Sequence, residues 1–123
     1  MSQRILVVED HEDNRRILRD LLSTAGYDLF EAVTGVEGVT MAEAHRPDLI
    51  LMDVQLPEID GYEAMRRIKA DPALRSIPII AVTSYAMSGD DVAAFEAGCS
   101  AYVTKPFSPR SLLTKIREHL PPA

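Results

Sequence analysis

The sequence predicts an α/β fold with a doubly wound, parallel five-stranded sheet, and two observations support this prediction. Three continuous apolar runs, at residues 5–8, 49–52 and 79–82, are rich in Ile, Leu and Val and are bounded by polar or turn residues. Runs without polar alternation are typical of strands buried on both faces. Segments with helical spacing lie between the runs, and this alternation predicts right-handed crossovers with helices on both faces of the sheet.

Five helices are expected, and the clearest carry apolar residues three or four positions apart. These residues are Ile17, Leu21, Leu22 and Ala25 before Gly26; Tyr62, Met65 and Ile68 after Gly61; and Val92 and Phe95 before Gly98. A less regular helix is expected at residues 36–45.

The last helix opens at Ser108, a capping residue, with Pro109 at the first helical position. One side of this helix is apolar through Leu112, Leu113, Ile116 and Leu120. The pair at residues 121–122, both proline, is expected to end it.

Two further strands are expected at residues 28–32 and 101–104. They are more polar or less continuous than the three apolar runs, as is typical where a sheet meets solvent. With strands numbered along the chain, the second and fifth are therefore edges and the other three are interior. The order 2-1-3-4-5 satisfies this condition and is the flavodoxin-like arrangement.

Length and composition limit the classes of protein that fit. With 123 residues, 46% of them hydrophobic and 26% charged, the chain is expected to form one domain over residues 1–123, without an output domain. The net charge of −6 and the scattered Lys and Arg residues argue against nucleic acid as a partner. No apolar run reaches membrane-spanning length, and the start MSQRILVVED predicts a strand rather than a signal peptide. A cytoplasmic protein with no membrane partner is expected.

Polar side chains follow four of the predicted strands at the point where each strand ends. They are Glu9 and Asp10 after the first strand, Asp53 after the third, Thr83 after the fourth and Lys105 after the fifth. Ligands of such sheets bind outside the carboxyl ends of the strands, so these groups are expected in one crevice.

Crowded carboxylates need a compensating charge. Two of them about 4 Å apart repel by roughly 4 kcal/mol at an effective dielectric constant near 20. Mg²⁺ typically binds one or two carboxylates, waters and phosphate oxygens, so we expect Asp10 and Asp53 as direct ligands and Glu9 as a ligand through water. Asp53 is the candidate nucleophile, because carboxylates attack phosphoryl groups, while Lys105 and Thr83 suit phosphoryl oxygens.

Other residues near the site have simpler interpretations. Glu12 and Asp13 lie where the first helix begins, and there they complement the helix dipole. His11 could bind a transition metal, although an exposed histidine is usually polar surface. The single cysteine, Cys99, excludes an intramolecular disulfide and is interpreted as a packing residue.

The motifs ILVVED, DLILMDVQLPEIDGYE, PIIAVTSYAMSGD and AGCSAYVTKPFS together resemble the receiver domain of two-component response regulators over the whole chain. Thr83 follows Asp53 by 30 residues and Lys105 follows it by 52, as in the family pattern. The segments AMSGD and GCSAY are similar to single-domain regulators of the DivK type and to receivers of hybrid kinases. The first strand follows Met1 closely and no linker follows the last helix, so a stand-alone regulator is expected.

The resemblance implies a role for each matching residue. Glu9 and Asp10 would be the acidic pair for Mg²⁺, for which Mn²⁺ can substitute, Asp53 the phosphoacceptor, and the Gln55 backbone carbonyl a further metal ligand. Thr83 and Tyr102 would be the switch residues, and Lys105 the partner of the phosphoryl group. The Lys105–Pro106 bond would be cis.

Some positions depart from the family pattern. Glu9 replaces the commoner aspartate and reaches further, and Ser84 stands where alanine is usual. Gln55 and Tyr85 occupy variable positions that flank the path of the hydrolytic water. Our hypothesis is that Tyr85 shields the acyl phosphate and slows its hydrolysis.

The implied function is a phosphorylation-controlled switch rather than an enzyme with an external substrate. A sensor histidine kinase or histidine phosphotransfer protein would be the upstream partner, and the protein is expected as a monomer or weak homodimer. Phosphorylation would change the face formed by helix four, strand five and helix five. Candidate contacts on that face are Met87, Pro106, Phe107 and Arg110.

Alternative interpretations are a receiver module of a hybrid kinase, a phosphate sink in a relay, and a Mg²⁺-dependent aspartyl-phosphate phosphohydrolase. The phosphohydrolase would need a second aspartate at position 55, which is Gln. A flavin-binding electron carrier shares the fold but needs a glycine- and hydroxyl-rich loop where this chain has carboxylates. A receiver that works without phosphate is disfavoured, since every required group is present.

Overall fold

The computed structural model describes residues 3–83 and 90–120, and within them five strands alternate with five helices. The strands are β1 (Arg4–Val8), β2 (Asp28–Ala32), β3 (Leu49–Asp53), β4 (Ile79–Thr83) and β5 (Ala101–Thr104). The helices are α1 (Glu12–Thr24), α2 (Gly35–His45), α3 (Gly61–Ala70), α4 (Asp90–Ala97) and α5 (Pro109–His119). The predicted positions of the strands and helices are confirmed to within a few residues.

The sheet is parallel throughout and has the predicted order β2-β1-β3-β4-β5. Every residue of β3 and β4 is buried, because helices cover both faces of these interior strands. In β2 only Ala32 is buried, as expected at an edge. The register aligns Val8 with Met52, and Asp53 with Val82, so these strands end at one edge of the sheet.

Two hydrophobic clusters lie on opposite faces of the sheet. On one face α1 and α5 contribute Leu18, Leu22, Leu112 and Ile116. On the other face α2, α3 and α4 contribute Ala42, Ala64, Met65, Ile68, Ala94 and Ala97. Burying one large aliphatic side chain stabilises a fold by about 1.5–3 kcal/mol, so each face anchors its helices independently.

Within residues 3–83 and 90–120, side-chain caps are described at the first turn of α2, α3 and α5. Thr34 Oγ1 accepts a hydrogen bond from Glu37 N at 3.0 Å, and Glu37 in turn accepts one from Val33 N. Asp60 caps α3, and Ser108 caps α5 as predicted. The Thr34 cap accounts for a well-formed α2 despite its irregular apolar pattern.

The apolar residues that predict α1 and α4 do not all face the core. Ile17 is 57% exposed, Val92 55% and Phe95 50%. Among the α4 side chains that the structure describes, Ala94 and Ala97 are the buried ones, and their small size allows the helix to lie close to α3 and β5. Helical spacing thus located α4 correctly but did not identify its buried side.

Lys69, on α3, contacts both the loop before β4 and the residue that follows α4. Its Nζ donates hydrogen bonds to the carbonyl oxygens of Arg75, at 2.9 Å, and Ile77, at 2.8 Å. Its aliphatic stem passes Gly98, where a Cβ would come within 2.6 Å of Lys69 Cγ. The neighbouring Cys99 is buried in the core cluster, and burial raises the pKa of its thiol to about 11, as befits a packing residue.

No helix within the described ranges combines the length and apolar character needed to cross a membrane.

Candidate functional site

The carboxyl ends of β1, β3 and β4 and the segment after β5 bring the predicted site residues to one crevice. Glu9 follows β1, Asp53 ends β3, Thr83 ends β4, and Lys105 follows β5. The side chains of Glu9, Asp53 and Thr83 are buried, with exposed fractions of 2%, 4% and 0%. Lys105 is held beside Thr83, since its backbone N donates to the Thr83 carbonyl at 2.7 Å.

The ammonium of Lys105 lies between two buried carboxylates. Its Nζ is 2.7 Å from Glu9 Oε1 and 3.2 Å from Asp53 Oδ2. From sequence, Lys105 is expected to bind phosphoryl oxygens, and a metal ion is expected to offset the repulsion between the carboxylates. The structure adds that Lys105 itself offsets the repulsion when it occupies this position.

Burial and negative neighbours disfavour the charged form of Asp53. Burial raises the pKa of Asp53, the hydrogen bond from Gln55 N lowers it, and the Glu9 charge raises it again, giving a pKa of about 6 against an ordinary value of 3.8. A carboxyl group with such a pKa is fully ionised only above neutrality in the absence of a further cation.

Glu9 is affected in the opposite direction. Burial alone would raise its pKa, but hydrogen bonds from Lys105, from the Asp53 carboxyl and from the His11 backbone together bring the pKa below its ordinary value of 4.5. Burial of Lys105 lowers its pKa, but its hydrogen bond to Glu9 and the charges of both carboxylates outweigh this and raise it. The pair Glu9 and Lys105 is therefore an ion pair.

Asp53 is held from two sides by backbone. Gln55 N donates to Asp53 Oδ1 at 2.9 Å, which orients the carboxylate, while the Gln55 side chain is exposed. Gly61, the first residue of α3, lies so close that a Cβ there would be 2.3 Å from the Asp53 carbonyl oxygen and 2.6 Å from Val54 Cα. The sequence analysis used Gly61 only as a helix boundary and missed this contact.

The imidazole of His11 lies next to the acidic pair, Glu9 and Asp10. Ligand atoms of Glu9, Asp10 and His11 all lie within 4.8 Å of one another. Among the described residues, no other group of three potential ligands is this compact, and Asp53 is not one of its members. The oxygen-rich donor set of Glu9, Asp10 and Asp53 fits a hard divalent cation such as Mg²⁺.

Arg15 is a residue at the site that the sequence analysis did not identify. Its Nη1 donates to the Glu9 carbonyl oxygen at 2.9 Å, and its guanidinium also pairs with Glu12 and Glu31. It therefore fixes the backbone at the start of the acidic pair. Arg15 lies in α1, seven residues after the end of β1 at Val8, and no pattern in the sequence predicts that its side chain returns to the end of that strand.

The two residues predicted to form the switch lie on the neighbouring strands β4 and β5. Thr83 is fully buried at the end of β4, and Tyr102, on the edge strand β5, is half-buried and packs against the core cluster on the α2–α3–α4 face. The Lys105–Pro106 bond is cis, as the resemblance implies.

The remaining candidate residues are accounted for separately. Glu12 and Asp13 lie in the first turn of α1, which confirms their prediction. His45 stacks on Phe30 with ring centroids 4.2 Å apart. Pro106, Phe107 and Arg110 lie in the loop and first turn of α5, with Phe107 half-buried. Ser84, Tyr85 and Met87 lie outside the described residues.

Comparisons with known proteins agree on one family. The response regulator receiver domain model matches residues 5–117. The polar-differentiation response regulator DivK of Brucella anthropi is 43% identical over 120 residues, with 98% of both chains covered. DivK of Brucella ovis is 42% identical over the same share.

Solved structures of receivers are similar as well. The receiver domain of the Pseudomonas aeruginosa sensor histidine kinase PA1611, crystallised with a magnesium ion in its active-site cleft, has a TM-score of 0.91 and 38% identity, covering 97% of this chain and 98% of that one. Vibrio cholerae chemotaxis protein CheY4 has a TM-score of 0.92 and 26% identity, covering 98% and 100%.

Proposed function

This chain belongs to the response regulator receiver domain family, and from that premise we propose that it is a switch that accepts a phosphoryl group on Asp53. Receiver domains take phosphoryl groups from histidine kinases or histidine phosphotransfer proteins. The observation that carries the proposal is the buried Asp53 carboxylate, oriented by Gln55 N and facing the Lys105 ammonium. Burial makes this carboxylate a poorly solvated, pre-oriented nucleophile.

The proposed reaction is an in-line transfer from a phosphohistidine or a small acyl phosphate. An Asp53 oxygen attacks phosphorus, the new O–P bond forms as the bond to the donor breaks, and the donor leaves with its electron pair. Lys105 exchanges its contacts with Glu9 and Asp53 for the phosphoryl oxygens. Asp53 returns to its free carboxylate when water removes the phosphate.

A divalent cation completes the proposed site. We assign Asp10, Asp53 and the Gln55 carbonyl to hold Mg²⁺ or Mn²⁺, with Glu9 acting through water. Bound there, the ion supplies positive charge against the oxygens of the transferring group. The crowded, buried carboxylates support this assignment, since they lack enough cationic charge for Asp53 to be fully ionised near neutral pH.

Signalling would follow from the added charge. The phosphoryl group brings up to two negative charges and three acceptor oxygens, which draw the Thr83 hydroxyl inward. Space next to Thr83 then admits the Tyr102 ring, which already packs on the core cluster from the β5 edge. The face of α4, β5 and α5, including Pro106, Phe107 and Arg110, changes shape and binds a different protein partner.

Three expectations from the sequence stay predictions. They are a single receiver domain over residues 1–123, a cytoplasmic location, and a monomer or weak homodimer. The alignment with the Brucella anthropi relative, which covers 98% of both chains, supports the first of them. A phosphohydrolase with the same nucleophile remains the competing function, and turnover of an aryl phosphate would favour it.

The test is labelling with acetyl phosphate and Mg²⁺, followed by intact mass and peptide mapping. We expect one added phosphoryl group, on Asp53, that disappears in Asp53→Asn and in chelator. Asp20→Asn, on the exposed side of α1, is the matched control and should label normally. An unmodified mass, or label on another residue, contradicts the proposal.

A further inference from the structure

His11 brings an imidazole to the acidic pair. Its Nδ1 lies 3.1 Å from Asp10 Oδ1 and 3.5 Å from Glu9 Oε2, and its side chain is 71% exposed. The three side chains thus offer one nitrogen and two carboxylate oxygens within 4.8 Å of one another. A set that mixes imidazole with carboxylates differs in chemistry from an oxygen-only magnesium site.

We propose that Glu9, Asp10 and His11 form a site for a transition-metal dication, with Ni²⁺, Co²⁺, Zn²⁺ and Cu²⁺ as the class of ligand. Imidazole suits these ions and not Mg²⁺, whereas carboxylates accept both. The neutral ring needs only to present Nδ1 to the ion. Because the ring is exposed, entry of the ion requires no opening of the core.

The arrangement of Glu9 favours this site. Lys105 holds Oε1 at 2.7 Å, which leaves Oε2 directed to His11, whose backbone N donates to it at 3.2 Å. The two oxygens of one carboxylate therefore contact different partners, Oε1 the Lys105 ammonium and Oε2 His11. A metal bound at Oε2 does not have to displace Lys105.

The inference deepens the proposed function and rests on it in one respect, the sharing of Asp10. The proposed magnesium site and the His11 site both use this carboxylate, so an ion held by His11 competes with Mg²⁺. Transition metals would then lower the rate of Asp53 labelling at a fixed Mg²⁺ concentration. The chain would be a receiver whose phosphorylation responds to metal supply.

Within the described residues, the other two histidines belong to no such group of ligands. His45 stacks on Phe30, and the Arg4 guanidinium carbon lies 5.9 Å from the centroid of that phenyl ring. His119 ends α5 at the opposite end of the sheet, next to Glu118 in a shallow depression. Each can be replaced by asparagine without touching the acidic pair, and His119 is the better matched control because it makes no ring stack.

The experiment is Ni²⁺ and Mg²⁺ titration of the untagged protein by calorimetry, comparing wild type, His11→Asn, Asp10→Asn and His119→Asn. We expect one Ni²⁺ per chain, at least tenfold weaker binding in His11→Asn, and no change in His119→Asn. Mg²⁺ affinity should change less than twofold in His11→Asn but fall with Ni²⁺ affinity in Asp10→Asn. Equal Ni²⁺ affinity in wild type and His11→Asn overturns the proposal.

A spectroscopic measurement keeps the ligand assignment separate from stability. With one equivalent of Cu²⁺, electron paramagnetic resonance should show nitrogen superhyperfine coupling in wild type and His119→Asn, and lose it in His11→Asn. Unchanged coupling in His11→Asn overturns the assignment of Nδ1 as a ligand. Wild-type labelling of Asp53 with Mg²⁺ alone tests the proposed function independently, so the two failures are distinguishable.

Discussion

Lys105 and Glu9, which are 96 residues apart in the chain, form an ion pair of 2.7 Å at the centre of the site. The same ammonium reaches Asp53 at 3.2 Å. One positive charge thus serves two buried negative groups, and it cannot fully compensate both. Burial, and after it the Glu9 charge, raise the pKa of Asp53 against the hydrogen bond from Gln55 N, whereas hydrogen bonds led by that from Lys105 lower the pKa of Glu9 against the effect of its burial.

Asp53→Asn should stabilise the protein in chelator at pH 7.5, by about 1–3 kcal/mol. The asparagine keeps the shape and cannot carry the buried charge. Asp53 has a pKa of about 6 when folded and 3.8 when unfolded, so the folded state binds more protons between these values. The Asp53 carboxyl group therefore lowers the stability of the wild-type protein as the pH rises from about 4 to 6.

The measurement is urea denaturation of both proteins from pH 4 to pH 8. The stability difference should be largest above pH 6 and should vanish near pH 4. A lower stability of the asparagine variant at pH 7.5, or a difference that grows on acidification, contradicts the account of crowded carboxylates.

Lys105→Met should destabilise the protein in chelator by about 1–3 kcal/mol, because it leaves Glu9 and Asp53 buried without a cation. Adding Asp53→Asn to Lys105→Met should recover much of that loss, since one of the two negative charges is removed. A double-mutant cycle by thermal unfolding measures this coupling. Lys115→Met, on α5, is the control, and additive effects at positions 53 and 105 would contradict the prediction.

Glu31→Gln should reduce stability at neutral pH, and this reduction should shrink as the pH falls below the ordinary Glu value of 4.5. Hydrogen bonds from Arg19, with both distances 2.7 Å, lower the pKa of Glu31 below 4.5. A lowered pKa gives stability that is present above the unfolded value and lost as pH falls. Such partly exposed pairs are worth about 0.2–1 kcal/mol. Denaturation at pH 7 and pH 3 tests the sign, and 1 M salt should shrink the effect.

Gly61→Ala should lower stability by about 1–3 kcal/mol and slow the labelling of Asp53. The added methyl meets the Asp53 carbonyl oxygen at 2.3 Å, so the backbone of the phosphoacceptor must shift. Gly26→Ala is the matched control: its φ of +96° makes alanine strained, but no atom lies within 4 Å of the new methyl. It should reduce stability while labelling persists. Equal labelling rates of Asp53 in the two variants would contradict the inference that the close approach of Gly61 positions the phosphoacceptor.

Thr34→Ala should cost about 1 kcal/mol through loss of the α2 cap. The Thr34 hydroxyl oxygen accepts a hydrogen bond from Glu37 N, and the methyl group of alanine cannot accept one. Thr40→Ala, at an exposed position within the same helix, should be neutral or slightly stabilising because alanine favours helix. Thermal unfolding that ranks the two variants in the opposite order contradicts this assignment.

The sheet and the location of the site could be predicted from sequence because both depend on regular patterns. Apolar runs identify interior strands, and parallel topology brings their carboxyl ends together, so Glu9, Asp53, Thr83 and Lys105 were expected in one crevice. The polarity of two strands predicted that they are edges, and the flavodoxin-like order 2-1-3-4-5, which satisfies this condition, is confirmed.

Other features depend on side-chain directions that no local pattern encodes. The reach of Lys105 to Glu9, and of Arg15 to the Glu9 carbonyl, depends on long side chains that extend from the segment after β5 and from α1 to the end of β1. The exposure of Val92 and Phe95 could not be anticipated, because close packing of α4 through alanines outweighs hydrophobicity there. The metal-binding role of the Gln55 carbonyl rests on the resemblance and stays a prediction.

The Lys69 side chain links the loop before β4 to the end of α4. Its head closes the turn before β4 through two carbonyl oxygens, while its methylenes rest on the bare backbone of Gly98 at the end of α4. Acetylation of this amine would remove two of its three donor protons at once, and the loop before β4 and the tail of α4 would loosen together.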